Sequence, residues 1–261
     1  MKKSILYILL AFVSSSITLI SQESNIEDFN FETEDVKTET QGYFSIGAAY
    51  TATLNFINFD NVNLINKKFG FEDFKSPLLA NGFEIKTGTV LFKNFNVGFF
   101  SNSGISLKTI DTTFNSKTFK KSNSYSIENL GLLLEYSIVP VKSLAISPGL
   151  QIGFGRIGIK YSQSPSVLNY QELQTTTSEY SFFHTFEKSF LNIEPKLGIE
   201  YAVTTFLMFR VLVSYNISTD NPISGGNWAY NGVSEINSIP EKISMQNFNL
   251  QLGLFVGLMN F

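Results

Sequence analysis

Asn249-Leu250-Gln251-Leu252-Gly253-Leu254-Phe255-Val256-Gly257-Leu258-Met259-Asn260-Phe261 closes the chain. Leucine or valine fills every second position from Leu250 to Leu258, and Gln251, Gly253, Phe255 and Gly257 fill the places between. A period of two belongs to a strand, whose successive side chains point to opposite faces. One face here is wholly apolar; the other is polar or small apart from one phenylalanine. Such a strand suits a wall between lipid and a polar interior, as in transmembrane β-barrels.

The same division of faces recurs upstream. Phe44, Ile46, Ala48, Tyr50 and Ala52 oppose Ser45, Gly47, Ala49 and Thr51. Phe83 and Ile85 oppose Glu84 and Lys86, and Val97, Phe99, Ile105 and Leu107 alternate with Gly98, Asn102, Gly104 and Ser106. Leu130 to Ile138, Leu144 to Phe154, Leu191 to Tyr201 and Leu207 to Tyr215 repeat the pattern, with Glu135, Gln151, Glu194, Lys196, Glu200 and Arg210 on the opposite face. With the last strand this makes eight. Long connections (about 55–80, 109–124, 160–185, 218–243) alternate with short ones (93–96, 139–142, 203–205). An even strand count and that alternation predict an all-β, eight-stranded antiparallel up-and-down transmembrane barrel with short periplasmic turns, long outer loops and both termini in the periplasm. A lipocalin-like soluble barrel would reverse the faces and put the charges in an apolar pocket.

Composition agrees. Charged residues make up 16 % and aromatics 15 %, with 26 Phe and 11 Tyr. Mean hydropathy is only +0.07, far from that of a helical membrane protein. The most apolar internal stretch, Leu197 to Val213, carries Glu200 and Arg210, each costly at a bilayer centre. Met1-Lys2-Lys3, an apolar run from Ile5 to Val13 and Ser14-Ser15-Ser16 have the layout of a cleavable signal peptide. The expected organisation is signal peptide 1–21, acidic periplasmic tail 22–41 and barrel 42–261. With no cysteine, disulfides, thiolate metal sites and a lipidated N-terminal cysteine are excluded.

Eight strands leave an interior that side chains fill. Glu84, Lys86, Glu135, Glu194, Lys196, Glu200 and Arg210 are therefore expected to pair in an interior polar network, since isolated buried charges are costly. A gated ion path is the functional alternative to a structural plug. Gly153-Phe154-Gly155-Arg156-Ile157-Gly158 matches a dinucleotide fingerprint in letters, but Ile159-Lys160-Tyr161 continues as strand or loop, where the helix of such a site is required. His184 is the single histidine; Glu179, Glu187, Ser181 and Ser189 lie near it in sequence, in no hydrolase spacing. No catalytic residue, cofactor or metal is expected. Lys117, Lys120 and Lys121, with Lys108, face one acid, Asp111, in an outer loop and could meet lipopolysaccharide phosphates. Trp228 and Tyr230 could meet a protein partner.

Gln251, Gly253, Val256 and Leu258, followed by Phe261, resemble the C-terminal signal read by the barrel-assembly machinery. Leu132 to Tyr136, the Pro140 turn and Ser147 to Leu150 resemble the small outer-membrane barrels ("porin family", PorT-like) of Bacteroidota-type bacteria. The resemblance implies the outer membrane of a Gram-negative bacterium. It also implies contacts with outer-membrane lipid, lipopolysaccharide and, during insertion, the assembly machinery, with no nucleic-acid partner. A structural or surface-binding role through outer loops is the leading expectation. An accessory role in type IX-like secretion, a narrow channel and a lipid A-modifying hydrolase follow it.

Overall fold

A computed structural model describes residues 43–89, 92–167, 181–221, 227–236, 243 and 245–260. The expected signal peptide and acidic tail lie outside the described residues, as does Phe261. In chain order the elements are β1 (Phe44–Phe56), α1 (Asp60–Phe69), β2 (Leu78–Gly88), β3 (Phe95–Phe114), β4 (Lys117–Tyr136) and β5 (Ile138–Val141). Then come β6 (Leu144–Pro165), β7 (Phe182–Ala202), β8 (Leu207–Asp220), β9 (Trp228–Tyr230), β10 (Ser234–Ile236) and β11 (Asn247–Asn260). Strands β1, β2, β3, β4, β6, β7, β8 and β11 pair antiparallel in that order. β11 returns to β1, from Phe44 opposite Asn260 to Phe56 opposite Phe248, and closes the barrel.

Following cross-strand partners from Asn55 through Asn249, Ser214, Lys196, Gly149, Glu135, Asn96 and Gly88 leads back to β1 beside Ser45, ten residues from the start. That stagger is what tilted strands need to close a cylinder of this size. Outward positions such as Ile46, Ile85, Leu132, Ile199, Val211 and Leu254 are exposed, while Glu84, Lys86, Glu135, Glu200 and Arg210 are buried. Aromatic pairs end the apolar belt. Phe95 faces Tyr136 and Tyr201 faces Phe209 at the end where β1 begins and β11 finishes, and Phe56 meets Phe248 at 5.8 Å at the other. Girdles of this kind sit at membrane interfaces.

All four long connections differ from the sequence expectation, that at 218–243 by carrying β9 and β10. Residues 109–124 are not a loop: β3 and β4 run on to Asn115-Ser116, where φ of 48° and 59° makes a tight mirror-image turn. β6 likewise runs to Pro165 and β7 starts at Phe182. Four adjacent strands of 20–22 residues thus stand beside four of 11–14. About ten tilted residues cross a membrane, so the four long strands continue as a wall beyond it. The 55–80 connection contains α1. Asp60 in its first turn and Lys67 and Lys68 in its last suit the helix dipole, and Gly70, at φ 69°, ends it.

Along the tall wall the faces exchange character. Below, β4 and β6 turn Leu130, Leu132, Ile152 and Phe154 outward. Above, Glu128, Arg156 and Lys160 face out, while Tyr125, Ile127, Ile157, Ile159 and Tyr161 are buried inside. On β4 and β6 the exchange marks where the apolar belt stops, while β3 still turns Ile105 and Leu107 outward opposite Ser126 and Ser124.

Candidate functional site: a barrel closed by two plugs

At the end where β1 begins and β11 finishes, six charged side chains from four strands meet inside. The Arg210 guanidinium forks between Glu84 and Glu135, with its Nε 3.6 Å from Glu200. Lys86 pairs with Glu200 and lies 3.7 Å from Glu135, and Lys196 reaches Glu135 at 2.7 Å. All six are essentially buried. The Tyr43 hydroxyl donates to Glu200 at 2.6 Å, and Gln251 donates to Glu84 at 3.3 Å. Phe255, the one aromatic on the inward face of β11, lies 5.0 Å from Lys86 Nζ and 5.7 Å from Arg210 Cζ. Its ring presents a negative face to both cations.

Glu194, expected in the same network, sits apart from the six. It accepts hydrogen bonds from Ser214 and, at 2.8 Å, from Asn249. Here the interior changes to amides: Asn192 donates to Asn129 at 2.6 Å, and Asn129 to Asn102 at 3.1 Å.

The far end is apolar, which the expectation of a polar-filled interior did not foresee. Ile57, Phe59, Val62, Phe71 and Phe74, from α1 and its flanks, pack with Tyr125, Ile127, Ile157, Ile159, Tyr161 and Phe190 of the tall wall. Phe59 meets Tyr125 edge-on at 5.0 Å, and Phe71 lies 5.0 Å from Tyr161. Two asparagines of α1 pin the segment. Asn63 takes the Phe74 N–H at 2.8 Å and donates to its carbonyl at 3.0 Å; Asn66 donates to the Glu72 carbonyl and accepts from Tyr161 at 2.8 Å. Tyr125 and Tyr161 lie beyond the belt, and burial holds both hydroxyls above the ordinary phenol range.

The three lysines expected to meet lipopolysaccharide separate. Lys117 and Lys120 are exposed on β4. Lys121 turns inward, donates to the Phe69 carbonyl at 3.1 Å and lies 5.3 Å over the Phe71 ring. It serves the C-terminal end of α1, where a cation suits the dipole. His184 Nδ1 pairs with the Tyr230 hydroxyl at 2.6 Å and its ring stacks on Phe182 at 5.1 Å. Gly153 to Gly158 lie wholly within β6, and Gly153 faces Gly131 so closely that an added Cβ would lie 2.2 Å from the Leu130 carbonyl oxygen. Close strand approach accounts for that glycine. In the C-terminal segment Gln251 and Gly253 face inward and Val256 and Leu258 outward.

No family model and no curated protein matches the chain. It is similar to the major outer membrane protein of Thermus thermophilus, at 10 % identity over 82 % of this chain and 99 % of that one, with a TM-score of 0.43. It is also similar to Ail of Yersinia pestis, solved in complex with the heparin analogue sucrose octasulfate, at 9 % identity over 84 % and 99 %, TM-score 0.34. CarO of Acinetobacter baumannii gives 9 % over 82 % and 97 %, TM-score 0.35. At such values the likeness concerns the barrel alone.

Proposed function

We propose that the chain is an outer-membrane barrel of a Gram-negative bacterium that conducts no solute and presents a rigid sheet at the cell surface for binding. The observation that carries this reading is double closure: six paired charges fill one end and an aromatic cluster fills the other. An ion would have to break buried charge pairs and then cross an apolar plug. With the termini and short turns in the periplasm, the wall of β3, β4, β6 and β7 stands outside the cell. Its exposed Lys117 and Lys120 suit lipopolysaccharide phosphates as point charges.

Two measurements test the proposal. In planar bilayers the purified protein should give no stable conductance, and reproducible single-channel steps would overturn the closed reading. Lys117→Gln with Lys120→Gln should lower the lipopolysaccharide that co-purifies with the barrel; unchanged retention would remove that contact.

A further inference from the structure

Seven buried side chains carry charge among the described residues, and they do not balance. In the charge plug Glu84, Glu135 and Glu200 are matched in number by Lys86, Lys196 and Arg210, and Glu194 is a fourth carboxylate. Its two donors, Ser214 and Asn249, are neutral, and both use Oε1. Oε2 has no donor among the described residues. The inward cations of β7 are committed elsewhere, Lys196 to Glu135 at 2.7 Å and Lys188 to Asp220 at 2.8 Å. The layer around Glu194 is short of donors as well. Ile193 faces Ile217 and Lys196 faces Ser214, which sets Glu194 beside Asn216, and Asn216 faces Asn247 of β11. Asn192 is the next inward residue above Glu194 on β7. Asn192, Asn216 and Asn247 each keep a buried side-chain oxygen with no hydrogen-bond partner among the described residues.

Three amide oxygens and a carboxylate oxygen thus occupy neighbouring inward positions of β7, β8 and β11, between the charge plug and the aromatic cluster. A buried carboxylate without a counter-charge is costly, and so is a buried acceptor without a donor. A proton on Glu194 would cancel the charge but leave the three amide oxygens unserved. Water would serve the oxygens and leave the charge. A hard cation does both, since carboxylate and amide carbonyl oxygens are its ordinary ligands. A divalent ion would exchange one excess negative charge for one excess positive charge. A monovalent ion brings the interior to neutrality.

We infer that this layer binds one alkali-metal ion through Glu194 and the side-chain oxygens of Asn192, Asn216 and Asn247. The ion is enclosed as the barrel closes and joins β7, β8 and β11 from within; it does not pass through. The site is independent of what the outer wall binds. The test follows urea unfolding of the full-length barrel in lipid vesicles. Sodium or potassium chloride is varied at constant ionic strength against N-methylglucamine chloride, whose cation is too large for the layer. One ion bound by the folded state alone raises the folding equilibrium constant about tenfold for each tenfold rise in its concentration above Kd. That slope is expected with sodium, with potassium or with both, and the stronger response gives the size of the site. Glu194→Gln, which removes the charge at nearly constant volume, should flatten the slope. Asn216→Leu, which removes one oxygen, should need about tenfold or more of the same salt to reach an equal midpoint. Heat-modifiable gel migration shows that each variant folds, and the slope of the unaltered barrel needs no variant. A midpoint of the unaltered barrel that ignores both sodium and potassium overturns the inference, as does an equal slope in folded Glu194→Gln.

Discussion

Arg210 is the residue on which the interior turns. Its planar fork holds Glu84 and Glu135 at once while its Nε stands by Glu200, so three buried carboxylates share one guanidinium. Removing one partner of a buried charge set leaves the others uncompensated, at a cost of about 3–5 kcal/mol. Arg210→Met should therefore lower the urea midpoint of the barrel in lipid vesicles by a matching amount. Arg210→Lys should recover only part of it, because an ammonium cannot fork. A midpoint unchanged in Arg210→Met would show that Lys86 and Lys196 suffice.

At the scale of elements, the mouth segment of α1 is locked to the wall by rings rather than ions. Tyr125 and Tyr161 stay protonated in the folded cluster while an unfolded chain releases their protons near pH 10. The folded state then binds more protons above that pH, so stability is full below about pH 10 and falls as pH rises further. Alkaline titration should show the Tyr125 and Tyr161 phenols ionising late, together with loss of amide protection in α1. Early titration of all tyrosines would contradict the packing. The strands themselves are legible in the sequence wherever lipid lies on one side, since that contrast writes a period of two. Past Glu128 and Arg156 the contrast reverses, with polar residues outward and Tyr125, Ile157 and Tyr161 inward. Periodicity therefore loses the strands at that height, and wall passes for loop. α1 carries its own marks, Asp60, Lys67-Lys68 and Gly70, but its apolar partners belong to distant strands and no local period announces them. The inward side of the charges is readable from alternation. That Lys121 caps a helix and Glu194 stands apart is not, because both depend on contacts between elements far apart in sequence.

For the whole molecule, the unequal strand heights divide labour. Short strands β1, β2, β8 and β11 supply little beyond the belt, and the tall four supply both the wall that stands past it and the support for the mouth plug. The seam between β1 and β11 has a further consequence, in the order of events. Hairpins β3–β4, β6–β7 and β7–β8 join neighbours in the chain and can form as each emerges, whereas Phe44 meets Asn260 only when nearly the whole chain is present. Such non-local pairing is slow. Until it happens, two bare strand edges face a lipid phase that offers them no hydrogen bonds. The moment of greatest exposure in the life of this protein is thus tied to its last fourteen strand residues. Whatever escorts the chain into the membrane must guard that edge until β1 is reached.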